Sequence, residues 1–293
     1  MSERIVESYA RTPSALKFMS RALRRSRGLR VGEAVPPIAV RWTGLRFLPA
    51  QLQAFSERTG LRADAGVPVL LPHVIGFRLQ MSLLTHPAYP LPVWTALQVR
   101  NRLVRHGRIE PGQLLDLHAQ VTGQRVVDKG LEVDLVSRLI RGSWCCWEGR
   151  TTFFHRGRFG EPVGTDASSG APDLSASNEI DQFQIPSGGG WTFGKLTGDY
   201  NGIHSWDWYA RRLGFPRAFA HPQRVAAMCQ SRLPAVRADA QTLDLWIKGP
   251  VFYGAAVRLN ACVDESAATF GVALQDDPRY ALAGRWQAGA QPL

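Results

Sequence analysis

The chain has 293 residues, 45% of them apolar, which is length and hydrophobicity enough for two buried cores rather than one small fold. Its formal charge is +11, carried by arginine with only Lys17, Lys129, Lys195 and Lys248 beside it, so phosphate-bearing ligands, acidic proteins, nucleic acid and anionic lipid are the partners that charge admits. No apolar run is long enough for a membrane-spanning helix, no signal-peptide pattern opens the chain, and Cys145, Cys146, Cys229 and Cys262 lack metal or CxxC spacing; a cytoplasmic protein without a metal is expected.

In chain order, residues 13–30 predict a basic terminal helix, with Leu16, Phe18, Met19 and Leu23 apolar among Arg21, Arg24, Arg25 and Arg27. Residues 34–46 read as a strand and residues 49–58 as a helix opened by Pro49. Residues 67–85 are apolar all round and predict a buried helix, stopped by Pro87, Pro90 and Pro92. Four strands follow, over residues 95–104, 114–124, 131–142 and 145–154, with Asp128-Lys129-Gly130 as one turn between them. Residues 157–178 are rich in Gly, Ser, Ala, Pro and Asp and read as a linker. Gly189-Gly190-Trp191-Thr192-Phe193-Gly194-Lys195 nearly spells a phosphate loop, but Leu196 stands where Ser or Thr would hold magnesium, so a turn entering a strand is expected. Helical pieces over 208–213 and 225–233 precede strands near 242–247, 256–263, 270–274 and 280–287. A helix followed by an antiparallel meander, twice, is an α+β arrangement.

The segment Gly198-Asp199-Tyr200-Asn201-Gly202-Ile203-His204 holds the chemistry. A carboxylate and an imidazole five residues apart can share a water and move protons near neutral pH. The same residues also fit an ordinary turn, since Asp, Asn and Gly are common turn formers. Asn201 can brace that turn or bond a carbonyl. The isolated histidines His73, His86, His106, His118 and His155 lack a carboxylate at suggestive spacing and read as surface or core residues.

From Thr197 to His204, with Ala210, Gly214-Phe215 and Ala220-His221 after it, the chain resembles the MaoC-like dehydratases, or (R)-specific enoyl-CoA hydratases. The resemblance implies a fused double hotdog: residues 1–156 a repeat without the motif, 157–178 the linker, and 179–293 the repeat that carries it. It implies reversible hydration of a trans-2-enoyl thioester of coenzyme A or acyl carrier protein, with Asp199 and His204 as the acid/base pair and no cofactor beyond the substrate's own pantetheine. Asn201, Gly202, His221 and Gln223 are then the substrate-binding candidates. Arg211, Arg212, Arg217 and Arg224 would meet phosphates or a carrier protein, and Trp191, Trp206 and Trp208 would wall the site. A monomer and a homodimer both fit.

Two residues depart from the family pattern. Gly202 replaces a proline, and Pro222 replaces a glycine whose N–H would bond the thioester carbonyl. The competing readings are a non-catalytic acyl-thioester binding protein, an acyl-CoA thioesterase and a nucleic-acid-binding protein, the last without any groove-reading motif.

Overall fold

The structure, a computed structural model, describes residues 5–63 and 66–293. In the first half, β2 (Ala39–Leu45) leads through α2 (Pro49–Thr59) into α3 (Leu71–Leu84), and then into β3 (Leu97–Arg105), β4 (Leu115–Val127), β5 (Gly130–Arg141) and β6 (Trp144–Arg156). In the second, β7 (Asn178–Gln184) leads through α4 (Gly190–Thr197) and α5 (Asp207–Arg212) into α6 (Pro222–Gln230). Strands β8 (Gln241–Ile247), β9 (Ala256–Val263), β10 (Ala267–Leu274) and β11 (Tyr280–Ala288) follow. The first set of strands lies in the order β2-β4-β5-β6-β3 and the second in the order β7-β9-β10-β11-β8. The plan is therefore repeated strand for strand.

The two sets join where β3 pairs antiparallel with β8, Arg102 facing Asp244 and Leu103 facing Leu243. Asp244, buried at that seam, accepts from Arg102 at 2.8 Å and Arg100 at 3.1 Å. One hydrophobic cluster runs through both repeats. Every α3 residue except Arg78 is buried, as a helix wrapped by a sheet must be. Gly76 allows the closest approach, since a Cβ there would lie 2.9 Å from a methyl of Leu117 on β4. Residues 157–177, between β6 and β7, contain neither helix nor strand.

Three expectations are corrected. The terminal helix α1 spans only Ala15–Ala22: Ser14 caps its start, and Trp94 Nε1 donates to the Ala22 carbonyl at its end. The following Arg24-Arg25-Ser26-Arg27-Gly28 offers like charges and a glycine instead of another turn. The glycine-rich segment near 190 enters a helix, α4, not a strand. Two edge strands were not anticipated: β1 (Ile5–Tyr9), parallel to β2, and β7. Glu7 on β1 anchors α1 through Lys17 (2.7 Å) and Arg21 (2.9 Å), and these cations hold its carboxyl well below the usual range. No helix among the described residues is long and apolar enough to cross a membrane.

Candidate active site

Helix α4 is made of poor helix formers, and packing explains why. Phe193 and Thr197 are buried, and the glycines let the helix press against the turn that follows. A Cβ on Gly190 would fall 1.6 Å from the His204 carbonyl oxygen, and one on Gly194 2.6 Å from that of Asp199. Gly198 ends the helix at φ +77°, and its N–H returns to the Gly194 carbonyl. The Thr197 hydroxyl then accepts from the Asp199 N–H (2.9 Å), while Asp199 Oδ1 accepts from the Asn201 N–H (3.0 Å). Oδ2 is left facing two imidazoles.

His204 Nε2 stands 3.8 Å and His221 Nε2 3.9 Å from that oxygen. The two rings stack at 3.8 Å, with Phe193 and Phe219 beside them. Burial lowers the His204 pKa, and the Asp199 carboxylate opposes this only in part; His221, buried and next to His204, is lowered further. Both rings are neutral at neutral pH. The tautomer of His204 follows from its neighbour: Nδ1 lies 2.9 Å from the Phe219 carbonyl, which can only accept, so Nδ1 carries the hydrogen. Nε2 is then a lone pair aimed at a carboxylate oxygen too distant for a direct bond. The gap has two acceptors facing it, a geometry that a water's two O–H groups would fit.

This pair opens on an apolar cavity of about 280 Å³. Phe77, Met81 and Leu84 of α3 and Met19 of α1 line it from the first repeat; Phe215, Phe219 and Val251 line it from the second. Among the expected site residues, Asp199, Asn201, His204 and Gln223 line the cavity. His221 sits behind His204, and Gly202 is buried away from the wall. A Cβ on Gly202 would lie 2.8 Å from both Trp206 and Tyr209, so these rings occupy the room a proline would need. Asn201 Oδ1 accepts from the Ile203 N–H and caps the short 3-10 turn of Gly202–His204.

Other expectations fail on burial. Trp191, Trp206 and Trp208 are 49%, 45% and 60% exposed and wall no part of this cavity. Arg211, Arg212 and Arg217 are exposed, but Arg224 is buried and donates to the Gly188 and Arg58 carbonyls. His106 does have a carboxylate, Glu148 Oε1 at 3.2 Å. Among the described residues, two groups have donor atoms within 4.8 Å of one another, as a metal would require: Asp199, His204 and His221, and His106, Cys145 and Glu148.

A polar cluster that was not among the expected site residues reaches this site from the first repeat. Gln223 Nε2 lies 2.7 Å from Gln98 Oε1, 3.3 Å from Asn101 Oδ1 and 3.3 Å from His73 Nε2. His73 is fully buried, which pushes its pKa down to about 4. One signal was available: the chain enters α3 as Leu71-Pro72-His73 and α6 as His221-Pro222-Gln223, so His73 holds the place that Gln223 holds in the other repeat.

No protein-family model matches the chain. It is 28% identical over 215 residues to 3-hydroxyacyl-thioester dehydratase X of Mycobacterium tuberculosis, covering 72% of this chain and 75% of that protein. The crystal structure of that organism's HtdX superposes with a TM-score of 0.71 at 22% identity, over 85% of this chain and 99% of that one. The chain is a homologue of a 3-hydroxyacyl-thioester dehydratase. A MaoC-like dehydratase from Phytophthora capsici also superposes, with a TM-score of 0.67 at 13% identity, over 90% of this chain and 99% of that one. So does a double-hotdog protein of Mycobacterium tuberculosis, with a TM-score of 0.52 at 14% identity, over 94% of this chain and 98% of that one. The resemblance to the MaoC-like dehydratases is borne out, and the fold is the double hotdog.

Proposed function

We propose that the protein adds water reversibly to a trans-2-enoyl thioester, forming a (R)-3-hydroxyacyl thioester. The observation that carries this reading is the 3.8 Å gap between Asp199 Oδ2 and His204 Nε2 at the wall of an apolar cavity. A water in that gap gives a proton to Nε2 as its oxygen bonds to C3. The C2=C3 electron pair moves into the thioester as an enolate, and the His204–Asp199 pair returns the proton to C2. Oxygen and hydrogen come from one side, so addition is syn. His221 stacks behind His204 and fixes its plane. Asn201 and Gly202 shape the turn. The scheme uses no metal and no cofactor besides the substrate's own pantetheine.

The acyl chain lies along Phe77, Met81 and Leu84. The exposed Lys248 at the cavity, with Arg211, Arg212 and Arg217 nearby in sequence to Phe215, suits the phosphates of coenzyme A or the acidic surface of a carrier protein. The test is loss of enoyl absorbance when the protein meets crotonyl-CoA and a longer trans-2-enoyl-CoA, with Asp199→Asn and His204→Gln alongside. Turnover abolished in both folded variants supports the reading. Tight binding without turnover in the wild type replaces it with a non-catalytic acyl-thioester binding protein, a reading Pro222 favours because it offers no N–H to the carbonyl.

A further inference from the structure

Enolate formation needs a donor for the thioester oxygen, and the residue after His221 cannot supply one: Pro222 is the first residue of α6 and has no N–H. The donor must come from elsewhere on the cavity wall. The orientation of each amide near the start of α6 can be worked out from a single backbone carbonyl. Asn101 Nδ2 lies 2.8 Å from the Arg100 carbonyl, which only accepts, so the nitrogen of Asn101 points there. Its Oδ1 therefore faces Gln223, and the atom of Gln223 that meets it at 3.3 Å is the nitrogen. That nitrogen lies 2.7 Å from Gln98, so the Gln98 atom facing it is the oxygen, which also accepts from Asn101 Nδ2 at 3.3 Å. Both polar ends of Gln98 are thereby assigned. Its Oε1 is engaged, and its Nε2 bonds no described residue while the side chain lines the same cavity as Asp199 and His204.

We propose that Gln98, on β3 of the repeat that lacks the hydratase motif, is the thioester-oxygen donor, replacing the N–H that Pro222 removes. Gln223 and Asn101 are positioning residues that turn its amide nitrogen into the cavity. Gln223 is the link: it follows Pro222 directly and brings Gln98 to the N-terminus of α6, where the missing donor would have stood. Asn201 also lines the cavity, and its amide nitrogen bonds no described residue, but it sits on the turn of Asp199, on the side where the proposed water would lie. The assignment rests on the thioester reading above and deepens it. A donor held by two other amides, one from each repeat, is set before substrate arrives, which is the condition for an effective oxyanion site.

The test uses the full chain and a dienoyl thioester, 2,4-hexadienoyl-CoA, whose absorbance moves to longer wavelength when its carbonyl is polarised. The wild type is expected to shift the bound probe. Gln98→Glu keeps the acceptor oxygen that Gln223 and Asn101 hold but replaces the N–H groups with a second oxygen, so the fold persists and the shift is lost. Gln98→Leu loses the shift as well, and each variant's melting temperature reports its folding. With crotonyl-CoA, kcat falls by about 10²–10³ in both variants, the loss expected for one such donor. Gln223→Leu weakens the shift by releasing the Gln98 amide, an effect that mere loss of packing would not produce. A shift retained in Gln98→Glu, a shift lost in Asn201→Ala instead, or no shift in the wild type overturns the proposal. A wild-type shift that Gln98→Glu abolishes, without hydration of any enoyl-CoA, leaves the donor standing and removes the hydratase reading.

Discussion

The two repeats share a strand order but differ in what lies between the first strand and the central helix. In the first, α2 fills that interval and buries Leu52 and Phe55, and α3 runs for fourteen residues. In the second, α4, the 3-10 turn and α5 fill it, and α6 runs for only nine. The interval that packs core in one repeat holds the Asp199–His204 turn in the other. Leu71 and His221 mark the same divergence in one position, each just before a proline at a helix start. The two repeats differ in that one connection, while the order of the strands around it is the same.

The largest test of this asymmetry is kinetic. His204→Gln is expected to lower kcat by about 10³, within the range for a lost acid/base group, while His155→Gln in the first repeat leaves turnover within about twofold. Comparable losses in both would break the division of labour. The pH profile sharpens it: His204 must be neutral to accept a proton, and its pKa is lowered by burial, so kcat/KM should hold from neutral pH downward and fall on acidification with a midpoint below 6.5.

Stability should be shared where activity is not. Asp244→Ala removes the carboxylate that Arg100 and Arg102 share at the β3–β8 seam, a loss of about 3 kcal/mol for two charged hydrogen bonds, and both repeats should still melt in one transition by calorimetry. Acid should act on the repeat without the motif as well. His155 is buried against Tyr89, and its pKa is lowered from 6.5 to about 4. The unfolded chain binds that proton first, so stability is unaffected above pH 6.5 and declines as pH falls toward 4, by about 3 kcal/mol. Urea titrations of the wild type and His155→Gln at pH 7 and pH 4.5 measure the difference, which should be smaller in the variant. Next in size, Gly202→Ala should cost about 1–3 kcal/mol through its clash with Trp206 and Tyr209, and Trp206→Ala should recover part of it. Smallest is Trp208→Ala, an exposed side chain outside the cavity, expected within about 0.5 kcal/mol of wild type and at full activity.

Much of this was readable from the residues. Strands β4 to β6 and β8 to β11 alternate or run apolar between clear turns, and α3 is apolar on every side, so burial pattern and local preference agree there. Strands β1 and β7 lie at the two ends of the sheet, and β7 is too exposed along its length to show a buried face. Helix α4 misled because Ser-Gly-Gly-Gly-Trp-Thr-Phe-Gly is poor helical sequence; its glycines answer to close packing against the backbone of Asp199 and His204, which helix preference does not register. The proximity of Asp199 and His204 was legible because both partners sit on one turn. Gln98 and Asn101 were not, because they reach Gln223 across 125 and 122 residues of chain.

The pairing of β3 with β8 within one polypeptide has a genetic consequence. When two identical subunits form such a seam, every substitution is made twice, and a change that helps one side of the cavity is imposed on the other. In this chain each position mutates alone. Leucine could stand before one proline and histidine before the other, and the glutamine at 98 could specialise against the glutamine at 223 without either being copied into its counterpart.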